Sequence, residues 1–256
     1  MKAEHTLRKH RPDSRYRRMV VTAMLGAITA LLAFTPIGMI MLPPPLPAVT
    51  LVHIPVIIAA LVEGPVVGVL VGLVFGVSSL IRAWESGMVG LTLFFRNPLV
   101  SVLPRLIVPL AAWGVSALFH RGAKRHLALE HLGTVFASAI GALTNTVLCL
   151  GAIILLYGTE LNELVNNLIG LGSASDAYRN SAATWLVVAV GLPNGIAELL
   201  VAAIIAPMVK TAVQAVNHRT ARRHPGSSVA DHSAATRLAD KPENPIAEQA
   251  TPRNKG

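Results

Sequence analysis

Apolar positions along this 256-residue chain gather into long blocks instead of alternating with polar ones. A hydrocarbon layer about 30 Å thick requires about 17–25 apolar residues in a helix that crosses it. Five blocks meet that length: residues 19–42, 64–81, 98–119, 132–157 and 183–209. A sixth, residues 50–62, holds His53 and Pro55 and is too short to cross untilted. The first block ends at the rigid run Pro43-Pro44-Pro45-Leu46-Pro47, and from about Val213 the sequence turns to Ala, Pro, Ser and charge. Three regions follow: a basic segment over 1–18, a membrane domain over 19–212, and a tail over 213–256 expected to be disordered. The predicted class is an all-α membrane protein, a bundle of six transmembrane helices.

Composition agrees. The chain is 53% hydrophobic and only 14% charged, against about 25% charged in soluble domains. The net charge of +9 would fit a nucleic-acid binder, but its distribution excludes that reading. Seven of the 22 Lys and Arg precede Met19, three lie at Arg121, Lys124 and Arg125, and eight lie from Lys210 onward. Basic flanks remain in the cytoplasm, which places both termini and the 121–125 turn inside. The segment 158–180, with Glu160, Glu163 and Asp176 against Arg179, then falls outside. A five-helix arrangement, with 50–62 re-entrant, would separate the termini and break this charge pattern. The long basic start, with no small-residue cleavage motif after the first block, does not read as a cleaved signal peptide. A single cysteine, Cys149, excludes a disulfide framework and a cysteine-rich metal site, and no cofactor is expected.

Small residues recur at helical spacing. Gly64, Gly68, Gly72 and Gly76 keep a strict period of four, which permits a neighbouring backbone to come close; packing inside the bundle is the expected use. Ala23 and Ala27 share a face of the first helix, with Gly26 and Ala30 offset from it, and that face could dock a partner subunit.

Polar residues inside the blocks carry the functional signal. Asn97, Ser101 and Arg105 are spaced four and four; Thr134, Ser138, Gly141 and Asn145 form a second stripe; Gly191, Asn194 and Glu198 a third. A charge at mid-membrane costs at least about 2.5–3.5 kcal/mol, so such a residue is by default functional. Pairing of Arg105 with Glu198 is the plain alternative. At 1.5 Å per residue, however, Arg105 lies about 10 Å and Glu198 about 22 Å below the outer ends of their helices. Arg105 is therefore read as the anchor of an anionic ligand arriving from outside, offering a carboxylate its two-pronged guanidinium. Asn145 and Asn194 would serve hydroxyl or amide groups, and Glu198 is read as structural. Asn97 and Ser101 share the face of Arg105. Trp84 and Trp185 are candidate walls or lids, although aromatic residues near the outer face, with Phe94, Phe95 and Tyr178, also suit an interfacial belt.

The segments "HIPVIIAALVEGPVVGVLVGLVFGVSSLI", "NPLVSVLPRLIV", "GALTNTVLCLG" and "NGIAELLVAAIIAP", in this order, resemble the substrate-binding S components of energy-coupling factor (ECF) vitamin transporters, over about residues 23–207. The resemblance implies a six-helix protein of a prokaryotic cell membrane that captures a vitamin from outside. It implies as partners a transmembrane coupling subunit and two ATP-binding subunits, with small residues of the first helix docking on the coupling subunit, a pattern that Ala23 and Ala27 fit. The chain has no GxxxxGK[ST] phosphate loop of its own. Within the family it is most similar to pantothenate-type members; pantothenate has one carboxylate, two hydroxyls and an amide. Folate, with two carboxylates, would require a second cation such as Arg96. The basic tail is outside the family pattern.

Two other classes make different demands on the sequence. An ion-coupled secondary transporter would use Glu198 and His53 as a relay, but no internal repeat is visible. An intramembrane enzyme would need a serine–histidine or paired-carboxylate arrangement at one depth, or HExxH, and none is present; no catalytic or metal-binding residue is assigned.

Overall fold

The computed structural model describes residues 14–40, 49–85, 90–122 and 127–222. Nine α-helices occur among them: α1 (Ser14–Phe34), α2 (His53–Glu63), α3 (Pro65–Glu85), α4 (Pro98–Ser101), α5 (Leu103–Gly122), α6 (Leu127–Leu156), α7 (Gly158–Gly170), α8 (Ala182–Trp185) and α9 (Leu192–Arg222). Two two-residue strands, Met39–Ile40 and Val49–Thr50, pair antiparallel, with Met39 opposite Thr50. The chain divides into two compact units, Met1–Thr211 and Ala212–Gly256.

Five stretches are long and apolar enough to cross a membrane: Tyr16–Phe34, Pro65–Glu85, Pro98–His120, Leu129–Leu156 and Ala182–Ala215. Their outward positions, among them Leu70, Leu110, Phe136, Val147 and Ile204, are exposed and apolar, as surfaces against lipid must be. The Pro43–Pro47 run and the Lys124–Arg125 turn lie outside the described residues.

The short sixth block forms the 11-residue helix α2, about 16 Å long. Its residues His53–Ala60 are buried, because a helix with no polar stripe has nothing to present to water. It packs against α1, α3, α5 and α6. At one end the pairing of Met39 with Thr50 joins its approach to the end of α1. At the other, Arg17 Nη2 lies 2.7 Å from Glu63 Oε1 and joins its finish to the start of α1. The strand at 49–50, the turn that follows it and α2 together thus return the chain along the length of α1. Non-helical backbone at such depth is tolerated only inside protein or beside a cavity, and Thr50 and Val52 line one.

The glycine stripe of α3 packs inward, against α2 and the α4–α5 segment. A Cβ at Gly72 would meet the Arg105 carbonyl oxygen at 2.3 Å, one at Gly76 the Val102 Cα at 2.9 Å, and one at Gly68 the Cβ atoms of Ala60 and Pro109 at 2.7 and 2.8 Å. Gly64 stands apart, making the α2–α3 turn at φ +98.

Two expected irregular regions are helical. The segment after residue 157 forms α7, with Leu161, Val165 and Ile169 buried at a spacing of four. The last helix continues to Arg222, because "VQAVNHRTAR" contains neither Gly nor Pro to stop it. Residues 223–256 of the expected tail lie outside the described residues.

Candidate binding site

Proline chemistry shapes the segment that carries Arg105. Asn97 caps α4, accepting from the Leu99 N–H at 2.9 Å, and Pro98 follows where a missing N–H is harmless. Pro104 then has no N–H to give the Val100 carbonyl four residues back. The Arg105 side chain supplies the donor instead: Nη1 reaches Val100 O at 2.6 Å and Cys149 Sγ at 2.8 Å.

The guanidinium is clamped on its faces as well. Its central carbon is 5.1 Å from the Phe75 ring centre and 5.2 Å from that of Phe95, within the range of cation–π attraction. Both Nη1 hydrogens are taken, and Nε is buried without an acceptor. Neither Nε nor Nη2 has a protein partner among the described residues. These two nitrogens share the edge of the guanidinium that can grip both oxygens of a carboxylate.

Arg105 lines a cavity of about 200 Å³ together with Thr50, Phe75, Arg82, Phe95 and Asn145. That is below the range of about 300–1,000 Å³ typical of sites for drug-sized ligands, so the cavity suits a small one. Two grooves of about 560 Å³ are larger. One lies between the starts of α1 and α3, beside Ala23 and Leu70. The other lies where α6, α7 and α8 meet, beside Glu160 and Asn180. Neither contains a buried cation, which makes the smaller cavity the chemically distinctive one.

Glu198 makes no ion pair with Arg105. Its carboxylate accepts from the Thr50 N–H at 3.3 Å, from the Thr50 hydroxyl, and from the Thr146 hydroxyl at 3.4 Å. It thereby fastens the extended approach of α2 to α9 and α6. His53, one turn on, is fully buried, and neither ring nitrogen has a hydrogen-bond partner among the described residues.

Of the residues singled out from sequence, Arg105 and Asn145 meet at the cavity. Asn97 donates from Nδ2 to the Tyr157 hydroxyl at 3.1 Å, and the Ser101 hydroxyl donates to Asn97 O at 3.1 Å. Neither lines the cavity, and both serve the start of α4. Asn194 lies on α9 away from the lining, its Oδ1 buried without a partner among the described residues. Trp84 is exposed, with the Arg96 guanidinium 4.8 Å from its ring centre. Trp185 is packed in a cluster with Phe94, Ile153, Leu161 and Val165. Ala23 and Ala27 are exposed on α1, beside exposed Met19, Met24 and Ile28. Sequence reasoning missed Thr50, Phe75, Arg82 and Cys149 as neighbours of the site and took Phe95 for the belt. One signal was present: Pro104 directly before Arg105 marks an unsatisfied carbonyl within reach.

Comparison with known proteins places these observations in context. The sequence model of the family described as "ECF transporter, substrate-specific component" matches residues 17–210. A pantothenate transporter, PanT, of Leuconostoc mesenteroides subsp. mesenteroides is 28% identical over 199 residues, covering 70% of this chain and 92% of that protein. A pantothenic acid transporter, PanT, of Lactococcus lactis subsp. cremoris is 28% identical over 166 residues, covering 59% and 76%.

Proposed function

The chain belongs to the family of substrate-specific components of ECF transporters, and from that premise we propose that it captures pantothenate from outside the cell, through its carboxylate, on Arg105. The single observation that carries this is the guanidinium itself. It is buried, clamped between Phe75 and Phe95, tied at Nη1, and left with an Nε–Nη2 edge that lacks an acceptor. A buried donor without an acceptor is destabilising until something fills its valence, and a carboxylate does so with both oxygens. Asn145 and the Thr50 hydroxyl are the groups for the hydroxyls and amide of the same ligand. Both relatives are named for pantothenate, and the small cavity favours it over folate. The second cation that folate would want is Arg82 in this cavity rather than Arg96, and Arg82 already donates to the Ala33 carbonyl.

In this reading α2 and its extended approach make the second of six crossings, and both termini lie in the cytoplasm. Transport requires a coupling subunit, which docks on the exposed Ala23–Ala27 face of α1, and two ATP-binding subunits. Asn97, Ser101, Trp84, Trp185 and Glu198 act indirectly, through the framework.

The test is calorimetric titration of the purified protein in detergent with pantothenate, folate and a panel of neutral vitamins. Pantothenate is expected to bind tightly and the others weakly or not at all. Truncating one partner of a buried charge pair costs about 2–5 kcal/mol, so Arg105→Ala should weaken pantothenate binding by about 30-fold or more. Wild-type affinity in that variant refutes the assignment.

A further inference from the structure

The arginine fork is aimed by a residue that no polar pattern singles out. We infer that Cys149 is a positioning residue for carboxylate recognition. By accepting the second Nη1 hydrogen of Arg105, it leaves the Nε–Nη2 edge, and not the Nη1–Nη2 end, as the side a ligand meets. This rests on the reading of Arg105 as the carboxylate anchor.

The geometry is a three-way junction. The Cys149 sulfur lies 2.8 Å from Arg105 Nη1. The same sulfur lies 3.8 Å from Asn145 Oδ1 and 3.9 Å from Val100 O. A thiol accepts through sulfur and donates one proton, so it can hold the guanidinium and at the same time donate to the amide oxygen of Asn145. Asn145 and Cys149 are four residues apart on α6 and therefore share a face. One small side chain thus links two of the polar groups that line the cavity, Arg105 and Asn145. Without it, the second Nη1 hydrogen has no acceptor, and Nη1 competes with Nε for whatever anion enters. A two-pronged grip with fixed orientation becomes one of several.

A buried cysteine is also a small apolar residue that fills space between α4 and α6, and the experiment separates that role from positioning. Binding of pantothenate and of pantothenol, its analogue with a primary alcohol in place of the carboxylate, is measured by calorimetry. The proteins are wild type, Cys149→Ala and Cys149→Ser. Positioning predicts that wild type prefers the acid strongly. Cys149→Ala should lose about tenfold for the acid and stay within about twofold for the alcohol, and Cys149→Ser, which restores an acceptor, should recover most of the loss. Equal loss for both ligands, or no loss for the acid, overturns the inference. If wild type fails to prefer the acid, the Arg105 reading itself fails, a different result from either. Should Cys149→Ala not fold, Cys149→Val fills the site without an acceptor and is held to the same criteria.

Discussion

Gly72→Ala tests the packing that sets Arg105 in place. The added methyl would lie 2.3 Å from the Arg105 carbonyl oxygen, whereas an ordinary C···O contact is about 3.3 Å. The helices must therefore part by about 1 Å. No rotamer can relieve this, because the methyl is fixed on the α3 backbone and the oxygen belongs to the α5 backbone. Overpacking costs about 1–3 kcal/mol, and a clash between two backbones belongs at the upper end. For a domain of this size, about 3 kcal/mol corresponds to a fall in Tm of about 6–12 °C. Binding should fall with it, since a shift of about 1 Å moves Arg105 beyond the 0.5 Å or so within which a preorganised site works. Thermal unfolding and pantothenate titration of the purified variant are the assays. Gly151→Ala is the control, because nothing lies within 4 Å of its Cβ position. Gly76→Ala, with its nearest atom at 2.9 Å, should fall between the two. If Gly72→Ala matches Gly151→Ala in both Tm and affinity, α3 does not position Arg105 through this contact.

Three further outcomes are expected. Trp in place of Ala23 or Ala27 should leave pantothenate binding within about twofold while abolishing uptake in cells that carry the partner subunits; loss of binding would mean that the face packs internally. Glu198→Ala should lower stability by about 1–2 kcal/mol, read by thermal unfolding, because the half-buried Thr50 donors lose their acceptor. Glu198→Gln, which keeps one oxygen, should lose less, and equal Tm for both variants would remove Glu198 from the framework. Pro104→Ala should bind pantothenate more weakly while unfolding no earlier than wild type, since it restores a backbone donor to Val100 O and displaces Arg105 Nη1. Unchanged affinity would show that the freed carbonyl does not orient the arginine.

The helices were legible in the sequence because length and apolarity alone set them. Each of the five long blocks falls largely on helix, although the first leaves it after Phe34 and the third is broken between α4 and α5 beside Pro104. The glycine stripe was legible as close packing, since a period of four has that use in a helix. The extension of the last helix to Arg222 was not, because polar composition was read as disorder where only a stop signal would have ended it. The α7 helix was missed for a similar reason: charge marked the side of the membrane, but the apolar spacing of Leu161, Val165 and Ile169 within it was not read.

The site was legible as to its charge and not as to its surroundings. Spacing by fours placed Asn97 and Ser101 beside Arg105, yet the chain breaks between α4 and α5, and their polar atoms are used at the start of α4. Phe75, Phe95 and Cys149 come from α3, the 90–96 turn and α6, and no local pattern joins residues so far apart in sequence. What the sequence could not express is how a lone cation is held at this depth. The answer is not an acid. Two aromatic faces, a carbonyl released by proline and a sulfur lone pair hold the guanidinium. All four are uncharged, so none of them neutralises it, and the positive charge is left whole. A neighbouring carboxylate would have stabilised the empty protein better and would then have competed with the ligand for the same edge. Glu198, turned toward Thr50 and Thr146, avoids that competition, and in the proposed function the separation of the two charges is what leaves an anion something to bind.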